Sequence, residues 1–254
     1  MKNKIPFLLI IFLFCNTSCT LTTAQQGLRN PPTDFFVKLY KDLRITRCAK
    51  KVEPKKKKCN TIKLSSSGSG LIIKLRNQKR VVLSAGHVCQ SDDIVEEDKL
   101  YVYSWTETVR LIDRNKNFHD AHIITVSQAS RTSSDLCTLF VPSLDYLNRK
   151  STISISQIPP KVGEDIYYIG APLGIHHPPT SLIVRGVFSG KIDDFASLTS
   201  TPAAPGASGS VILSLDNKVY GVLFAVHPRF NTASIITNHE QTKKFLLKTE
   251  KLLD

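Results

Sequence analysis

From Gly70 onward, short apolar runs alternate with polar residues, and Gly, Pro, Asn and Asp separate one run from the next. A series of short strands with turns between them is typical of an all-β sandwich or barrel. The predicted strands are Leu71–Ile73, Val81–Leu83, Leu100–Tyr103, Val109–Ile112, His122–Val126, Leu136–Val141, Ile166–Ile169, Ser181–Gly190, Val211–Leu215 and Val219–Val226.

Two segments have apolar residues at helical spacing. Asp34–Arg44 predicts a short helix leading into the domain, because its apolar residues recur every three or four positions. Asn238–Leu252 interleaves apolar residues with lysines and predicts an amphipathic C-terminal helix. Between these segments Ser65–Gly70, which reads SSSGSG, predicts a turn.

The N-terminus has the pattern of a secretory signal peptide over residues 1–24. Lys2 and Lys4 precede the ten-residue apolar run Ile5–Phe14, which only Pro6 interrupts, and the small residues Thr22-Thr23-Ala24 precede a cleavage point after Ala24. The run is too short to cross a bilayer, which takes about 20 residues, so no transmembrane span is expected in the mature chain. We therefore expect a secreted, periplasmic or cell-envelope protein. A retained anchor and lipid attachment at Cys19 are the alternatives.

The rest of the chain divides at Pro159-Pro160, about midway through the folded part. We interpret residues 25–64 as an N-terminal extension with a basic loop, 65–158 as one barrel, and 159–254 as a second barrel with the terminal helix. The formal net charge is +13, and much of the excess lies between Lys50 and Lys58. This loop is either solvated or binds an anionic partner weakly. No aromatic residue interleaves with the lysines and no base-reading motif follows, so no specific nucleic-acid binding is expected.

Three segments carry candidate chemistry. A predicted strand ends in Ser84-Ala85-Gly86 and then presents His87. Asp135 stands directly before another predicted strand. Ser208 lies between glycines in Pro205–Ser210, where a strained loop exposes the hydroxyl and directs main-chain N–H groups at one point. Each segment alone is also typical of an ordinary turn or loop, but their combination and order indicate a nucleophilic serine with a histidine base.

These motifs resemble those of the trypsin-like (chymotrypsin-fold) serine endopeptidases, and most of all HtrA/DegP-like protease domains without PDZ modules. The motifs are SAGHV around His87, SDLCTLFV after Asp135, and PGASGSVIL around Ser208. IGAPLG over 169–174 also resembles a segment of that branch, and the likeness extends from Gly68 to Leu247. The resemblance implies an all-β fold of two six-stranded antiparallel Greek-key barrels with a C-terminal α-helix.

The resemblance also implies a role for each residue, in an enzyme that cleaves protein or peptide substrates. His87 is the general base, Asp135 orients it, and Ser208 is the nucleophile. The N–H groups of Gly206 and Ser208 form the oxyanion hole. No metal and no organic cofactor is implied. The alternative is a catalytically silent binding protein on the same fold.

Some positions remain open or depart from the family pattern. Asp113 and Asp120 also lie between the histidine and the serine, but Asp135 is preferred because an apolar strand follows it, as in the family. Ala207 precedes the serine where pancreatic-type members have an aspartate, so activation by a newly cut N-terminus is not expected.

Four cysteines lie beyond the predicted signal peptide, and they allow three pairings. We prefer Cys48–Cys59, which closes the lysine loop, and Cys89–Cys137, which flanks two of the candidate catalytic residues.

The resemblance places the specificity pocket in two segments. They are Thr201, Pro202 and Ala203 before the serine, and Phe224, Ala225 and Val226 after it. Neither segment contains a carboxylate that would bind Lys or Arg, so we expect a small or apolar side chain at the cleavage position.

Overall fold

The structure is a computed structural model that describes residues 30–49, 59–91, 101–130, 133–144, 151–227 and 229–254. The predicted signal peptide over 1–24, the lipid-attachment alternative at Cys19 and the lysines of the basic loop lie outside the described residues. Within the described part, no helix is long and apolar enough to cross a membrane.

The first half of the chain forms a closed barrel of six antiparallel strands in the order β1-β2-β3-β6-β5-β4. The strands are β1 (Phe36–Ala49), β2 (Cys59–Lys74), β3 (Arg80–Ser84), β4 (Tyr101–Ile112), β5 (Phe118–Ser127) and β6 (Leu136–Phe140).

The second half forms another barrel, in which six strands follow the order β11-β8-β9-β10-β13-β12 and β11 pairs with β12 to close it. The short strand β7 adds in parallel to β12. The strands are β7 (Ser154–Ile155), β8 (Asp165–Gly170), β9 (Leu182–Lys191), β10 (Ala196–Thr199), β11 (Val211–Ser214), β12 (Lys218–His227) and β13 (Phe230–Thr237). The predicted all-β double barrel is confirmed.

Helices are few in the described part of the chain. One turn of helix, α1 (Gly86–Cys89), follows β3, and α2 (His239–Leu253) ends the chain. Single 3₁₀ turns occur at Thr33–Phe35, Pro142–Leu144 and Pro172–Gly174. The side chain of Asn238 caps α2 by accepting a hydrogen bond from the Glu240 N–H, so the predicted C-terminal helix is confirmed.

The helix predicted for Asp34–Arg44 is wrong, because this segment enters strand β1. Strand β1 pairs with β2 on one side and with β4 on the other. Four consecutive residues from Phe36 to Leu39 are buried, so both faces of the strand are covered there. A strand that is buried on both faces loses the alternation of apolar and polar residues, and its apolar residues can then fall at helical spacing.

The turn predicted for Ser65–Gly70 is also wrong, because these residues continue β2 and pair with β1. The small residues in this segment are needed for close packing and do not form a turn. At Gly68, for example, a Cβ would lie 2.6 Å from a side-chain carbon of Val88. The first barrel therefore begins at β1, earlier in the chain than the predicted boundary at residue 65.

The main apolar core extends across both barrels. Leu39, Leu83 and Leu139 of the first barrel belong to the same buried cluster as Tyr167 and Leu213 of the second. A smaller cluster, which includes Ile166, Tyr168, Ala203 and Ala207, lies within the second barrel. The shared core fixes the two barrels against each other, so residues far apart in the chain meet where the barrels join.

Two disulfides join the pairs preferred from the sequence. Cys48 and Cys59 lie opposite each other at the ends of β1 and β2. Cys89, the last residue of α1, is bonded to Cys137 in β6, and both are fully buried. The second disulfide therefore ties α1 to the strand that begins just after Asp135.

Candidate active site

His87 lies on the single turn α1, directly after the buried strand β3. Gly86 and Val88 on either side of it are buried, whereas the His87 side chain is 44% exposed. The short turn buries its other residues and leaves the imidazole open to solvent and to a ligand.

Asp135 contacts His87 in two ways. Its Oδ1 accepts a hydrogen bond of 2.9 Å from the His87 main-chain N–H, and its Oδ2 is hydrogen-bonded to His87 Nδ1. The Asp135 side chain is only 3% exposed. A buried carboxylate that holds both the ring and the main chain fixes the orientation of the imidazole and leaves Nε2 free to face a nucleophile.

The rival acids have other partners. Asp113 accepts hydrogen bonds from the N–H groups of Asn115 and Asn117 in the turn between β4 and β5, and it also contacts His119. Asp120 lies within β5 opposite Arg110. Among the described residues, Asp135 is the acid that touches His87.

Ser208 lies in a loop whose main-chain shape requires glycine at two positions, one before the serine and one after it. Gly206 has φ +93°, and a Cβ there would lie 2.6 Å from the Ala171 carbonyl oxygen. Gly209 has φ +88°, and a Cβ there would overlap Ser69 O and Ser84 Oγ. Left-handed φ values and close main-chain contacts both exclude larger residues, so the sequence of this loop is dictated by its shape.

The hydrogen bonds of this loop leave two N–H groups unused. The N–H groups of Ala207, Gly209 and Ser210 donate to carbonyl groups. Those of Gly206 and Ser208 have no partner among the described residues. An oxyanion hole requires unpaired N–H donors beside the nucleophile, and these two groups meet that requirement.

The Ser208 hydroxyl has no hydrogen bond to His87 within the described part of the chain. The serine loop nevertheless packs on the end of β3, because Gly209 lies against Ser84 Oγ and the Ala85 nitrogen. Ala85 and Gly86 then lead directly to His87. Hydrogen bonds between catalytic groups are often long or poorly aligned before substrate binds, so the missing bond is compatible with a catalytic pair and with a silent site alike.

Ser69 of β2, which the sequence analysis missed, joins the serine loop to the first barrel. Its N–H donates to Ser208 O over 2.8 Å, and its hydroxyl donates to Gly206 O over 2.9 Å. The same hydroxyl accepts from the Ala171 N–H, and the Ser69 carbonyl accepts from Ser84 Oγ. A single fully buried serine therefore holds both sides of the loop, although nothing in SSSGSG distinguishes it from its neighbours.

The residues predicted for the specificity pocket lie on two neighbouring segments. Ala203 belongs to the small apolar cluster, and Val226 packs against that cluster. The Thr201 carbonyl accepts from Ser234 Oγ, and the Pro202 carbonyl accepts from the Tyr168 hydroxyl over 2.6 Å.

Burial raises the pKa of Tyr168, so its hydroxyl stays protonated as a donor at neutral pH. Phe224 and Ala225 are half-buried in β12, which pairs with β13. Among the described residues, no group of three or more His, Cys, Asp or Glu side chains is arranged to hold a metal ion.

Two closed six-stranded barrels, with a His–Asp pair in the first and a glycine-flanked serine in the second, define the trypsin-like class of peptidase folds. Comparison of the sequence with protein-family models agrees with this class. Residues 68–222 match the model of the trypsin-like peptidase domain, and the chain belongs to that family.

Solved structures show the same fold. The Rv3671c protease of M. tuberculosis in its active form aligns with a TM-score of 0.56 and 17% identity, over 85% of this chain and 81% of that chain. A serine-to-alanine mutant of Rv3671c in its inactive form aligns with a TM-score of 0.56 and 14% identity, over 88% of this chain and 92% of that chain. A search of curated protein sequences finds no match.

Proposed function

We propose that this chain is a serine endopeptidase with His87, Asp135 and Ser208 as its catalytic triad. The observation that carries the proposal is the buried Asp135 carboxylate, which holds both the ring and the main chain of His87. The shape of the serine loop supports the same function, since its two glycines and two unpaired N–H groups suit a nucleophile beside an oxyanion hole.

Each group has one task in the proposed reaction. His87 Nε2 takes the hydroxyl proton of Ser208 as the oxygen attacks the scissile carbonyl carbon, and Asp135 stabilises the imidazolium that forms. The N–H groups of Gly206 and Ser208 bind the oxyanion of the tetrahedral intermediate, and each such donor is typically worth about 3–4 kcal/mol. His87 then protonates the leaving amine, which gives an acyl-enzyme that water hydrolyses by the same steps.

The proposed substrate is an extended peptide chain. Its backbone would lie along Phe224, Ala225 and Val226, and its side chain at the cleavage position would enter between this segment and Thr201, Pro202 and Ala203. All six residues are uncharged, so these segments offer no carboxylate to a Lys or Arg side chain. We therefore propose cleavage after small or apolar residues.

The proposed location is outside the cytoplasm, in the secreted, periplasmic or envelope compartment. Two disulfides support it, because such bonds persist in oxidising compartments and are rare in the cytosol. The signal peptide predicted for 1–24 would provide the route.

The test is cleavage of a diverse peptide library by the wild type, with Ser208→Ala as the matched inactive protein. We expect cleavage that Ser208→Ala lacks, with small or apolar residues before the cut bond. The absent hydrogen bond between Ser208 and His87 favours one alternative, a silent binding protein on the same fold. A folded wild type that cleaves no peptide would support that alternative and refute the proposal.

A further inference from the structure

Strand β1 carries a buried lysine that contacts the main chain of His87. Lys41 Nζ donates a hydrogen bond of 2.6 Å to the His87 carbonyl oxygen, and the Lys41 side chain is only 10% exposed. A lysine loses side-chain entropy and hydration when it is buried, so such a position needs compensating contacts. Here one of the compensating contacts is the hydrogen bond to the main-chain carbonyl of His87, the candidate general base.

Glu107 of β4 completes the arrangement. Its Oε1 lies 3.6 Å from Lys41 Nζ, and its side chain is 16% exposed. The same oxygen accepts hydrogen bonds from the N–H and the hydroxyl of Ser91, at 2.9 and 2.7 Å. The pair therefore contacts α1 and the chain just after it: Lys41 binds the carbonyl of His87, and Glu107 binds Ser91, two residues beyond the end of α1.

We propose that the Lys41–Glu107 pair positions His87 for catalysis, so that Lys41 is a positioning residue of the proposed peptidase. Asp135 fixes His87 from one side through the ring and the main-chain N–H, and Lys41 fixes it from the other through the carbonyl. A single helical turn has few hydrogen bonds of its own, so its position depends on such external contacts. The inference rests on the proposed function, because the role is defined by the reaction.

Both residues of the pair reach the site from β1 and β4, and β1 precedes the residues that match the family model. Lys41 therefore lies before the residues that match the family model, whereas Glu107 lies within them. A buried ion pair that only stabilised the fold would make the same contacts, so the experiment has to separate stability from positioning.

The decisive variant is Lys41→Met combined with Glu107→Gln. Removing one partner of a buried ion pair leaves the other charge buried and unpaired, which destabilises the fold, whereas neutralising both residues avoids this loss of stability. The Gln side chain keeps an oxygen for Ser91, so the variant specifically loses the donor to the His87 carbonyl. The matched control is Lys63→Met, which removes an exposed lysine from the neighbouring strand β2.

Kinetics with a peptide substrate provide the main measurement, alongside a urea unfolding curve for each protein. We expect the double variant to unfold near the wild-type midpoint but to lose on the order of 10- to 100-fold in kcat with little change in KM, since a shift of about 1 Å in a catalytic group has such effects. Lys63→Met should retain the wild-type kcat. A folded double variant with the wild-type kcat would overturn the proposal.

A second variant and a second readout cover the remaining outcomes. If the double variant does not fold, Lys41→Met alone replaces it, because Glu107 keeps its two hydrogen bonds from Ser91 and only the donor to the His87 carbonyl is lost; an unchanged kcat then overturns the proposal. If the wild type shows no Ser208-dependent turnover, the proposed function fails. Hydrogen exchange of residues 86–90 then tests the structural part of the inference: faster exchange in the double variant than in Lys63→Met means that the pair holds α1 in place, and equal exchange refutes it.

Discussion

Removing the disulfide between Cys89 and Cys137 is expected to affect both stability and activity. Cys89 follows His87 by two residues, and Cys137 follows Asp135 by two. The bond therefore clamps the two segments whose side chains meet in the His–Asp contact. The disulfide Cys48–Cys59 joins the far ends of β1 and β2 and provides a matched control.

The expected loss of folding stability in each variant follows from the length of the loop that the disulfide closes. In the chain-entropy treatment, the separation of 48 residues in Cys89–Cys137 corresponds to about 4 kcal/mol, and the separation of 11 in Cys48–Cys59 to about 3 kcal/mol. Typical domains have only about 5–15 kcal/mol of net stability, so either loss is large. The buried position of Cys89 and Cys137 adds a small packing loss to the first value when alanine replaces both.

The assay compares Cys89→Ala/Cys137→Ala with Cys48→Ala/Cys59→Ala by urea unfolding and by peptide-cleavage kinetics. We expect both to lose stability, and only the first to lose kcat at a urea concentration and temperature where both remain folded. A Cys89/Cys137 variant that loses less than about 1 kcal/mol, or retains the full kcat, would refute the reasoning that this bond holds the His–Asp contact.

Three further predictions concern single residues. Asn238→Ala should lower the free energy of unfolding by about 1 kcal/mol because α2 loses its cap, and Asn238→Asp should restore most of it; equal urea midpoints for Ala and wild type would contradict this. Burial, and then the charge of Lys38, lower the pKa of His176 in the folded protein. As the pH falls, His176 is therefore protonated at a higher pH in the unfolded chain than in the folded protein. Stability should fall as the pH drops below about 6.5, and His176→Phe should reduce that slope; an unchanged slope would contradict it. Gly209→Ala should cost at least about 2 kcal/mol from the left-handed φ and the overlap with Ser69, so a neutral effect on thermal unfolding would refute the loop geometry.

The parts of the fold that could be predicted are short apolar runs bounded by turn residues and one amphipathic helix. The buried run Val219–Leu223 of β12 follows the turn residues Asp216 and Asn217, and helix α2 interleaves apolar residues with lysines. Strand β1 could not be recognised, because the buried residues Lys38 and Lys41 interrupt its apolar run and leave its apolar residues at helical spacing. Strand β13 continues from Phe230 into the polar residues Asn231 and Thr232, which hide its role in closing the second barrel.

In the candidate site, too, some residues could be recognised from the sequence and others could not. The glycines around Ser208 are visible in the sequence because the φ values and close contacts of the loop allow no other residue. The preference for Asp135 over Asp113 came from a resemblance, since spacing alone does not show which acid reaches His87. Ser69 and Lys41 were missed because their roles are hydrogen bonds to main-chain carbonyl and N–H groups, and such contacts leave no pattern in the residues that receive them.

Labelling with a serine-directed fluorophosphonate tests the central claim most directly, with the modified residue located by mass spectrometry. The account predicts one adduct, on Ser208, that forms in the wild type and is abolished in His87→Ala, while Lys63→Met is labelled like the wild type. A correctly folded wild type that remains unlabelled, or an adduct on another serine that persists in His87→Ala, would contradict it.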